Sequence, residues 1–270
     1  MRSSYPWYDS HWLAGYHSAH AWLARERPGR ERDLDALVAP LRTDPGFAPR
    51  TLPGVFDART MADIRDAIAS LAPLDLELHE ARRFGRFVVH DHPLFVALAP
   101  RLAETVAQAC GEPVVPCYTF LALYTRSGRC EPHMDTPHAK WTLDLCVDTN
   151  VDWPIHFSPV VPWPSPATAW DGDWQARVRD DPRHAPRSVT LHPGEAVVFG
   201  GSSQWHWRDP MPPARDGGVP YCTLVFFHFL PRGTEAIVEP GNWPALLGVP
   251  ELASALPAPV ASPKAAEVRA

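Results

Sequence analysis

The sequence predicts a mostly β chain of the α+β class, in which a jelly-roll of short strands follows a group of supporting helices. From residue 113 onward, short runs rich in Val, Phe, Thr, Tyr and Trp are separated by Gly, Pro and Asp, without helical periodicity between them. The 32 prolines favour strand ends and loops over long helices. A length of 270 residues, 45% of them hydrophobic, suits one large β domain with a substantial core.

Helical periodicity is confined to the first 111 residues. In SHWLAGYHSAHAWLARER, apolar side chains recur at helical spacing, so residues 1–48 are predicted to form an N-terminal helical extension. A helix is expected after Asp57, whose side chain suits the N-cap position. Another is expected in HPLFVALAPRLAETVAQACG and should end at Gly111, because glycine readily adopts the left-handed conformation that closes a helix. RRFGRFVVHDHP, between these two helices, is a predicted strand.

The predicted jelly-roll domain spans residues 49–235. Its later strands are expected in VVPCYTFLALYTRSG, KWTLDLCVDT, WPIHFSPVVPW, RSVTLHPGEAVVFGG, SQWHWRD and PYCTLVFFHFL. Residues 161–187 interrupt this series and are interpreted as an insertion loop. We expect this loop, which mixes tryptophan with arginine, to cover the mouth of the barrel together with the N-terminal extension. Residues 236–270 form a C-terminal segment whose Ala/Pro-rich tail is predicted to be disordered.

Charge and cysteine content argue against several classes of protein. The 25 basic and 31 acidic residues give a net charge of -6, which disfavours nucleic acid or an anionic membrane as partner. Five cysteines without a C-x-x-C pair indicate neither a disulfide framework nor a zinc knuckle. The N-terminus lacks the pattern of a signal peptide, and no run of about 18 apolar residues could span a bilayer. We therefore expect a soluble, cytoplasmic protein with reduced thiols.

Candidate metal ligands occur in CEPHMDTPHAKW, residues 130–141. Pro132 and Pro137 are expected to bound a short strand, and because residues i and i+2 of a strand face the same side, His133 and Asp135 should project together. An imidazole and a carboxylate on one face form two corners of the 2-His-1-carboxylate triad, which holds non-haem iron and leaves positions open. His206, in FGGSSQWHWRDP, is the best third ligand because it lies on a new strand after a glycine-ended one. Arg208 shares its face, and a buried guanidinium requires an anionic partner.

The order of these elements resembles the iron(II)- and 2-oxoglutarate-dependent dioxygenases, in particular the prolyl-hydroxylase-like branch. The similarity lies in YTRSGRCEPHMD, in GEAVVFGG before the distal histidine, in the hairpin DLCVDTNVDWPIHF and in the two upstream helices; it covers residues 50–232. The resemblance implies a double-stranded β-helix that holds iron(II) through His133, Asp135 and His206. It also implies 2-oxoglutarate as cosubstrate and O2 as oxidant, with ascorbate as an optional reductant.

The family holds the far carboxylate of 2-oxoglutarate with a basic residue, and two arginines of this sequence qualify. Arg208 is preferred because strand parity places it beside His206, whereas Arg215 lies in the Pro/Gly-rich MPPARDGGVPYCT. Further candidate hydrogen-bond partners of the cosubstrate are Tyr124, Thr223 and His228. An equal alternative for His228 is a core histidine that takes no part in the site.

Side chains adjacent to the candidate ligands receive other interpretations. Trp205 and Trp207 alternate with His206 and should face away from the metal. His138 is expected to face substrate or solvent, because Pro137 interrupts the strand before it, and Lys140 is expected to face solvent.

The reaction implied by the resemblance is that of an EC 1.14.11-type oxygenase. It converts 2-oxoglutarate and O2 to succinate and carbon dioxide while hydroxylating an unactivated C–H bond of a small metabolite or amino-acid-derived substrate. Desaturation and cyclisation stay open as outcomes, whereas Asp135 argues against halogenation, for which the family has a small residue there. Two other classes also stay open: a cupin-type iron enzyme without 2-oxoglutarate, and a non-enzymatic β-sandwich binding module whose histidines merely pack.

Overall fold

The computed structural model describes residues 11–165 and 173–257. In these ranges the helices are α1 (His11–Glu26), α2 (Glu31–Val38), α3 (Ala58–Ala69), α4 (Ala81–Phe84), α5 (Pro93–Cys110), α6 (Trp174–Asp180) and α7 (Trp243–Leu246). Part of the insertion loop, with Trp170, and the tail from residue 258 lie outside the described residues. Across the described ranges, every helix is too short or too polar to cross a lipid bilayer.

Within the described residues, ten strands form two antiparallel sheets that face each other. They are β1 (Arg50–Pro53), β2 (Arg86–His90), β3 (Val114–Tyr124), β4 (Cys130–His133), β5 (Trp141–Thr149), β6 (Ile155–Val160), β7 (Arg187–Val189), β8 (Glu195–Phe199), β9 (Gln204–Arg208) and β10 (Cys222–Pro231). The large sheet has the order β1-β8-β5-β10-β3-β2, and the small sheet has the order β4-β9-β6-β7. The predicted mostly β jelly-roll, a double-stranded β-helix, is therefore confirmed.

The outer face of the large sheet packs on helices α3 and α5. Asp57 caps α3 by accepting a hydrogen bond from the Thr60 backbone N–H at 2.7 Å, and α5 ends at Gly111, which has a φ of 82°. Both predicted helix boundaries are confirmed. Alternate strand residues fill the interface with these helices: Leu121, Leu143, Leu145, Val225, Phe227 and Phe229. The supporting helices thus bury the outer face of the large sheet, and its inner face is available to form a site.

The inner faces of the two sheets enclose a second apolar cluster. Its members include Ala122, Cys146, Leu224 and Phe226 from the large sheet, with Ile155 and Phe157 from the small one. These residues are one position out of step with those that contact α3 and α5, as the two-residue period of a strand requires. The polar residues discussed below share this inner face.

The outer face of the small sheet is covered by α1, α2, α6 and the C-terminal segment. Trp205 and Trp207 of β9 are buried there, in one cluster with Trp12 and Trp163. The Trp12 indole donates a hydrogen bond to the Val238 carbonyl at 2.6 Å, which ties α1 to the C-terminal segment. The two tryptophans of β9 therefore face away from the metal ligand between them, as predicted.

The expected position of the insertion loop is wrong for its described residues. Val178 of α6 belongs to the same cluster behind the small sheet, and Trp174 lies 5.8 Å from Trp205 between ring centroids. The N-terminal helix α1 packs in that cluster too. The apolar outer face of the small sheet would be exposed to water without α1 and α6, so packing these helices against it is favourable. These segments therefore support the small sheet instead of covering the mouth.

Candidate metal centre

The first two candidate ligands lie opposite each other on adjacent strands. His133 at the end of β4 pairs directly with His206 of β9, and the ring centroids are 4.2 Å apart. Strand β4 starts at Cys130, so Pro132 lies within it and does not bound it as expected. Proline is tolerated there because β4 is the edge strand of the small sheet.

The third ligand lies just beyond the end of β4. The Asp135 backbone N–H donates to the Gly201 carbonyl at 2.8 Å, which fixes its carboxylate beside the two histidines. Asp135 Oδ1 is 3.6 Å from His133 Nε2 and 3.6 Å from His206 Nε2. These are the three residues that could together hold a metal ion among those the structure describes. The predicted triad is thus assembled.

Backbone carbonyls set the tautomer of both histidines. His133 Nδ1 lies 2.8 Å from the Glu131 carbonyl, and His206 Nδ1 lies 3.0 Å from the Gln204 carbonyl. A carbonyl only accepts, so each Nδ1 carries a hydrogen, and Nε2 is the nitrogen of each ring that is left to bind a metal. Two imidazole nitrogens and a carboxylate oxygen are the donor set of a non-haem iron site, so the residues fit that metal.

The electrostatics of the triad favour the protonation states that bind metal. Burial lowers the pKa of His133 and outweighs the opposing effect of Asp135. Burial by itself would raise the pKa of Asp135, but His206 and His133 outweigh it and hold that pKa well below its usual value. A neutral imidazole and an ionised carboxylate are the ligating forms.

Gly201 makes room for the carboxylate. A Cβ at this position would lie 2.5 Å from Asp135 Oδ2 and 2.5 Å from the Ala139 carbonyl oxygen. Both distances are far below van der Waals contact, so only glycine lets the chain of residues 200–204 approach Asp135 this closely. The second glycine of FGG, which the sequence showed only as a strand end, is therefore part of the ligand geometry.

The triad opens on a cavity between the two sheets. The cavity contains about 780 Å³ of space outside protein atoms, including its open mouth. Its wall on the large sheet is aromatic, with Tyr118, Phe120 and Phe226. Two of the expected cosubstrate contacts, Tyr124 and His228, also line it.

Arg208 faces inward as predicted, but the protein itself supplies an anionic partner. Its Nη2 donates to Asp144 Oδ2 at 2.8 Å, and its Nη1 donates to the Trp153 carbonyl at 2.7 Å. Arg208 also lines the cavity. Burial raises the pKa of Asp144 against the opposing effect of Arg208. Asp144 went unnoticed in the sequence, although Thr142, Asp144 and Cys146 alternate with leucine and valine in TLDLCV.

A second buried guanidinium, that of Arg86, was missed by sequence reasoning. It bonds to the Glu80 carboxylate through Nε and to the Tyr124 hydroxyl through Nη1, the latter at 2.6 Å. Arg86 is 7% exposed and lines the cavity. The available signal was the alternation of Arg86, Val88 and His90 in RFVVH, which places a cation on the inner face of β2.

Four other candidates lie elsewhere. Arg215 pairs with Asp152 at 2.6 Å in an exposed loop and does not line the cavity, and neither does Thr223. His138 bonds to Glu239 at 3.1 Å. Lys140 was expected in solvent, but it is 3% exposed and donates to Glu112 at 2.5 Å. That expectation is wrong because a half-buried carboxylate partner offsets the desolvation of the ammonium group.

No protein-family model and no curated protein matches the chain. Solved structures do match. AviO1 from Streptomyces viridochromogenes Tue57 is 17% identical with a TM-score of 0.50, and the match covers 74% of this chain and 96% of that one. HygX from Streptomyces hygroscopicus, solved with nickel and 2-oxoglutarate, is 12% identical with a TM-score of 0.49, covering 75% and 87% of the two chains. A prolyl-4-hydroxylase from Pseudomonas putida is 14% identical with a TM-score of 0.46, covering 74% and 99%.

At these identities the likeness concerns the fold alone. The similarity to AviO1, which covers almost all of that protein, shows that the sheets and supporting helices of this chain follow an architecture already known. The ligand geometry described above is a separate observation on the chain's own residues. The chain therefore has the double-stranded β-helix that its sequence led us to expect, with a His-Asp-His cluster on the small sheet.

Proposed function

We propose that the protein is an iron(II)- and 2-oxoglutarate-dependent oxygenase that acts on a C–H bond of a small metabolite or amino-acid-derived substrate. The observation that carries this proposal is the convergence of His133 Nε2, His206 Nε2 and Asp135 Oδ1 at the wall of the cavity between the two sheets. Three protein ligands on one face leave the remaining coordination positions for cosubstrate and O2. The proposed outcome is hydroxylation, with desaturation or cyclisation as variants of the same chemistry.

The protein's own groups would hold the metal and shield its surroundings. His133 and His206 would donate Nε2, since their Nδ1 hydrogens are engaged by backbone carbonyls, and Asp135 would donate Oδ1. When bound, iron(II) supplies the activation of O2 that no side chain can provide. The aromatic wall limits the entry of water and would hold an apolar part of the substrate beside the metal.

The charge balance of the cavity supports an anionic cosubstrate. Two guanidinium groups and a divalent cation would carry four positive charges. The ionised carboxylates of Glu80, Asp135 and Asp144 carry three negative charges, so one positive charge would remain in excess. Within a low-dielectric cavity such an excess favours an anion. We propose Arg208 as the group that holds the far carboxylate, because it is on the same strand and face as His206. Arg86 with Tyr124 is the competing site, and Arg215 is too remote.

Cosubstrate affinity distinguishes these arginines. Arg208→Leu alone would leave Asp144 buried without a partner, so the double variant Arg208→Leu/Asp144→Leu removes both charges. We expect a loss of 2-oxoglutarate affinity of about 10- to 100-fold, the value of a charge-assisted hydrogen-bonding pair. Arg86→Leu/Glu80→Leu is the matched comparison, and Arg215→Leu is the control. A larger loss in the Arg86 pair would transfer the role to that residue.

Substrate-free turnover tests the proposed function itself. We expect slow O2 uptake with formation of succinate, dependent on both iron(II) and 2-oxoglutarate, and absent from His206→Ala. O2 uptake that needs iron(II) but not 2-oxoglutarate would instead support the cupin-type alternative. A wild-type protein that binds no iron would support the binding-module alternative.

A further inference from the structure

A chain of hydrogen bonds connects the large sheet to the candidate metal ligand Asp135. His228 of β10 lies with its Nδ1 3.0 Å from Thr142 Oγ1 on the neighbouring strand β5. Thr142 Oγ1 in turn lies 3.3 Å from Asp135 Oδ2. Thr142 is fully buried and His228 is 2% exposed. The chain therefore operates away from solvent, where each hydrogen has a defined place.

The order of donors along this chain follows from the ionised carboxylate. Thr142 Oγ1 is the donor in its bond to Asp135 Oδ2, because an ionised carboxylate only accepts. The single hydroxyl hydrogen of Thr142 must therefore point to Asp135. Thr142 Oγ1 can then only accept from the ring, so His228 carries its hydrogen on Nδ1. Burial lowers the pKa of His228 to about 4, so the ring is neutral and its Nε2 is a bare acceptor.

This acceptor has no partner among the described residues. His228 Nε2 is a buried polar atom without a hydrogen bond, and His228 lines the cavity. The ring is held in place by the Tyr118 ring, stacked at 4.0 Å, and runs nearly parallel to Phe226, with 3° between the planes. Leaving a buried nitrogen unpaired is unfavourable, and a ligand with a hydrogen to donate would satisfy it.

The cosubstrate cannot be that ligand. At neutral pH, 2-oxoglutarate has two carboxylates and a ketone, which are all acceptors, and an acceptor does not bond to a bare Nε2. We infer that His228 is a specificity-determining residue that accepts a hydrogen bond from a hydroxyl or amino group of the substrate, beside the metal. This substrate assignment rests on the proposed oxygenase function, whereas the tautomer of His228 does not. It replaces the expectation that His228 contacts the cosubstrate.

The tautomer is read directly by nuclear magnetic resonance of the full-length protein with ¹⁵N-labelled histidine, loaded with zinc as a diamagnetic ion. Two-bond proton–nitrogen couplings separate Nδ1–H from Nε2–H. We expect Nδ1–H for His228 in the wild type and in Thr142→Ser, which keeps the hydroxyl. Thr142→Val removes the acceptor, so the ring should change to Nε2–H. An Nε2–H ring in the wild type would overturn the inference, whatever the outcome of the turnover assay.

Two small probes test the ligand class on the same sample, now with 2-oxoglutarate added. Benzyl alcohol can donate a hydrogen bond and benzyl methyl ether cannot, while both suit an aromatic cavity. We expect the alcohol to shift the Nε2 resonance of His228 and to bind at least about tenfold more weakly to His228→Phe. The ether should leave Nε2 unchanged. Equal responses to the two probes, or none, would overturn the substrate assignment.

The affinity for 2-oxoglutarate separates this role from the one first expected. His228→Phe keeps a flat ring against Tyr118 and removes the acceptor. The affinity of this variant for 2-oxoglutarate, measured by competition binding to the zinc-loaded protein, should remain within twofold of the wild-type value. A loss of tenfold or more would return His228 to the cosubstrate site and contradict the inference.

Discussion

The two sheets of this protein differ in regularity, and the candidate ligands belong to the less regular one. In the large sheet, β10 pairs with β3 at ten positions and with β5 at eight, with one register shift in each long ladder. In the small sheet, β4 and β9 share only two register positions with an irregularity between them, and β6 and β9 share three. His133 and His206 lie on this small sheet, and Asp135 follows it directly. The large sheet supplies the aromatic wall of the cavity, hydrogen bonds within the site and the carboxylate that pairs with Arg208.

This difference suggests that the ligands depend on packing behind the small sheet. Short, interrupted ladders hold a strand weakly, so other contacts must fix its position. Trp205 and Trp207 alternate with His206 and are buried against helices. Arg179 of α6 bonds to the Glu131 carboxylate at 2.8 Å, and the Glu131 carbonyl orients His133. Four predictions examine this dependence, from the largest effect to the smallest.

Removal of a ligand should have the largest effect. We expect His133→Ala and His206→Ala each to lose stoichiometric iron(II), because two donors cannot replace three and even the loss of a group behind a ligand costs about 10- to 100-fold in affinity. Circular dichroism should still report a folded β protein. His138→Ala, which alters a histidine paired with Glu239, is the control and should keep its iron. Stoichiometric iron in both ligand variants would reject the triad.

Adding a single methyl group beside the Asp135 carboxylate should have the second-largest effect on iron affinity. In Gly201→Ala the Cβ would lie 2.5 Å from Asp135 Oδ2, so the carboxylate must move and iron affinity should fall by about 10- to 100-fold. Gly200→Ala is the matched control, because its nearest neighbour is the Thr43 methyl at 3.3 Å. Competition with a coloured chelator measures both affinities. Equal affinities in the two variants would show that Asp135 does not hold the metal in this geometry.

Truncating one buried aromatic residue in each sheet should reduce stability by similar amounts, but only one of the two truncations should weaken iron binding. Trp205→Ala and Phe229→Ala each truncate a buried aromatic residue and should lower the free energy of unfolding by about 3–5 kcal/mol. Of these two residues, only Trp205 lies behind the ligands. Trp205→Ala alone should therefore weaken iron binding at a temperature where both variants are folded. Urea unfolding and chelator competition supply the two numbers. Equal iron affinity in both would remove the proposed dependence on packing.

The contact between α6 and β4 should have the smallest effect. Arg179→Gln removes a partly exposed ion pair with Glu131, which contributes at most about 1 kcal/mol to stability. We expect a drop in iron affinity of a few fold, because Glu131 orients His133 through its backbone. Arg183→Gln, whose partner Asp181 lies in the same loop, should change nothing. An identical response of the two variants would confine α6 to general stability.

The ligand triad could be predicted from sequence because its geometry is local to strands. The H-x-D spacing predicted that His133 and Asp135 lie side by side, which holds although Asp135 lies just beyond the end of β4. The tryptophans on both sides of His206 indicated which face of β9 packs against helices. The buried ion pairs were harder to predict. Asp144 lies 64 positions from Arg208, and only the sheet order brings the two together.

The position of the insertion loop could not be read from its composition. Tryptophan and arginine suit a substrate lid as well as a packed support, and the choice depends on which surface of the barrel is left uncovered. Here the back of the small sheet, with Trp205, provides that surface. Pro132 misled for a similar reason, because an edge strand tolerates proline and a sequence does not show which strands are at an edge.

Anaerobic titration of the protein with iron(II) and then 2-oxoglutarate tests the central claim most directly. Chelation of 2-oxoglutarate to iron(II) held by His133, Asp135 and His206 should produce a visible metal-to-ligand charge-transfer band that saturates at one equivalent of each. The band should be absent from His206→Ala and present in His138→Ala. A wild-type protein that binds iron(II) stoichiometrically but never develops this band would contradict the claim that 2-oxoglutarate is the cosubstrate.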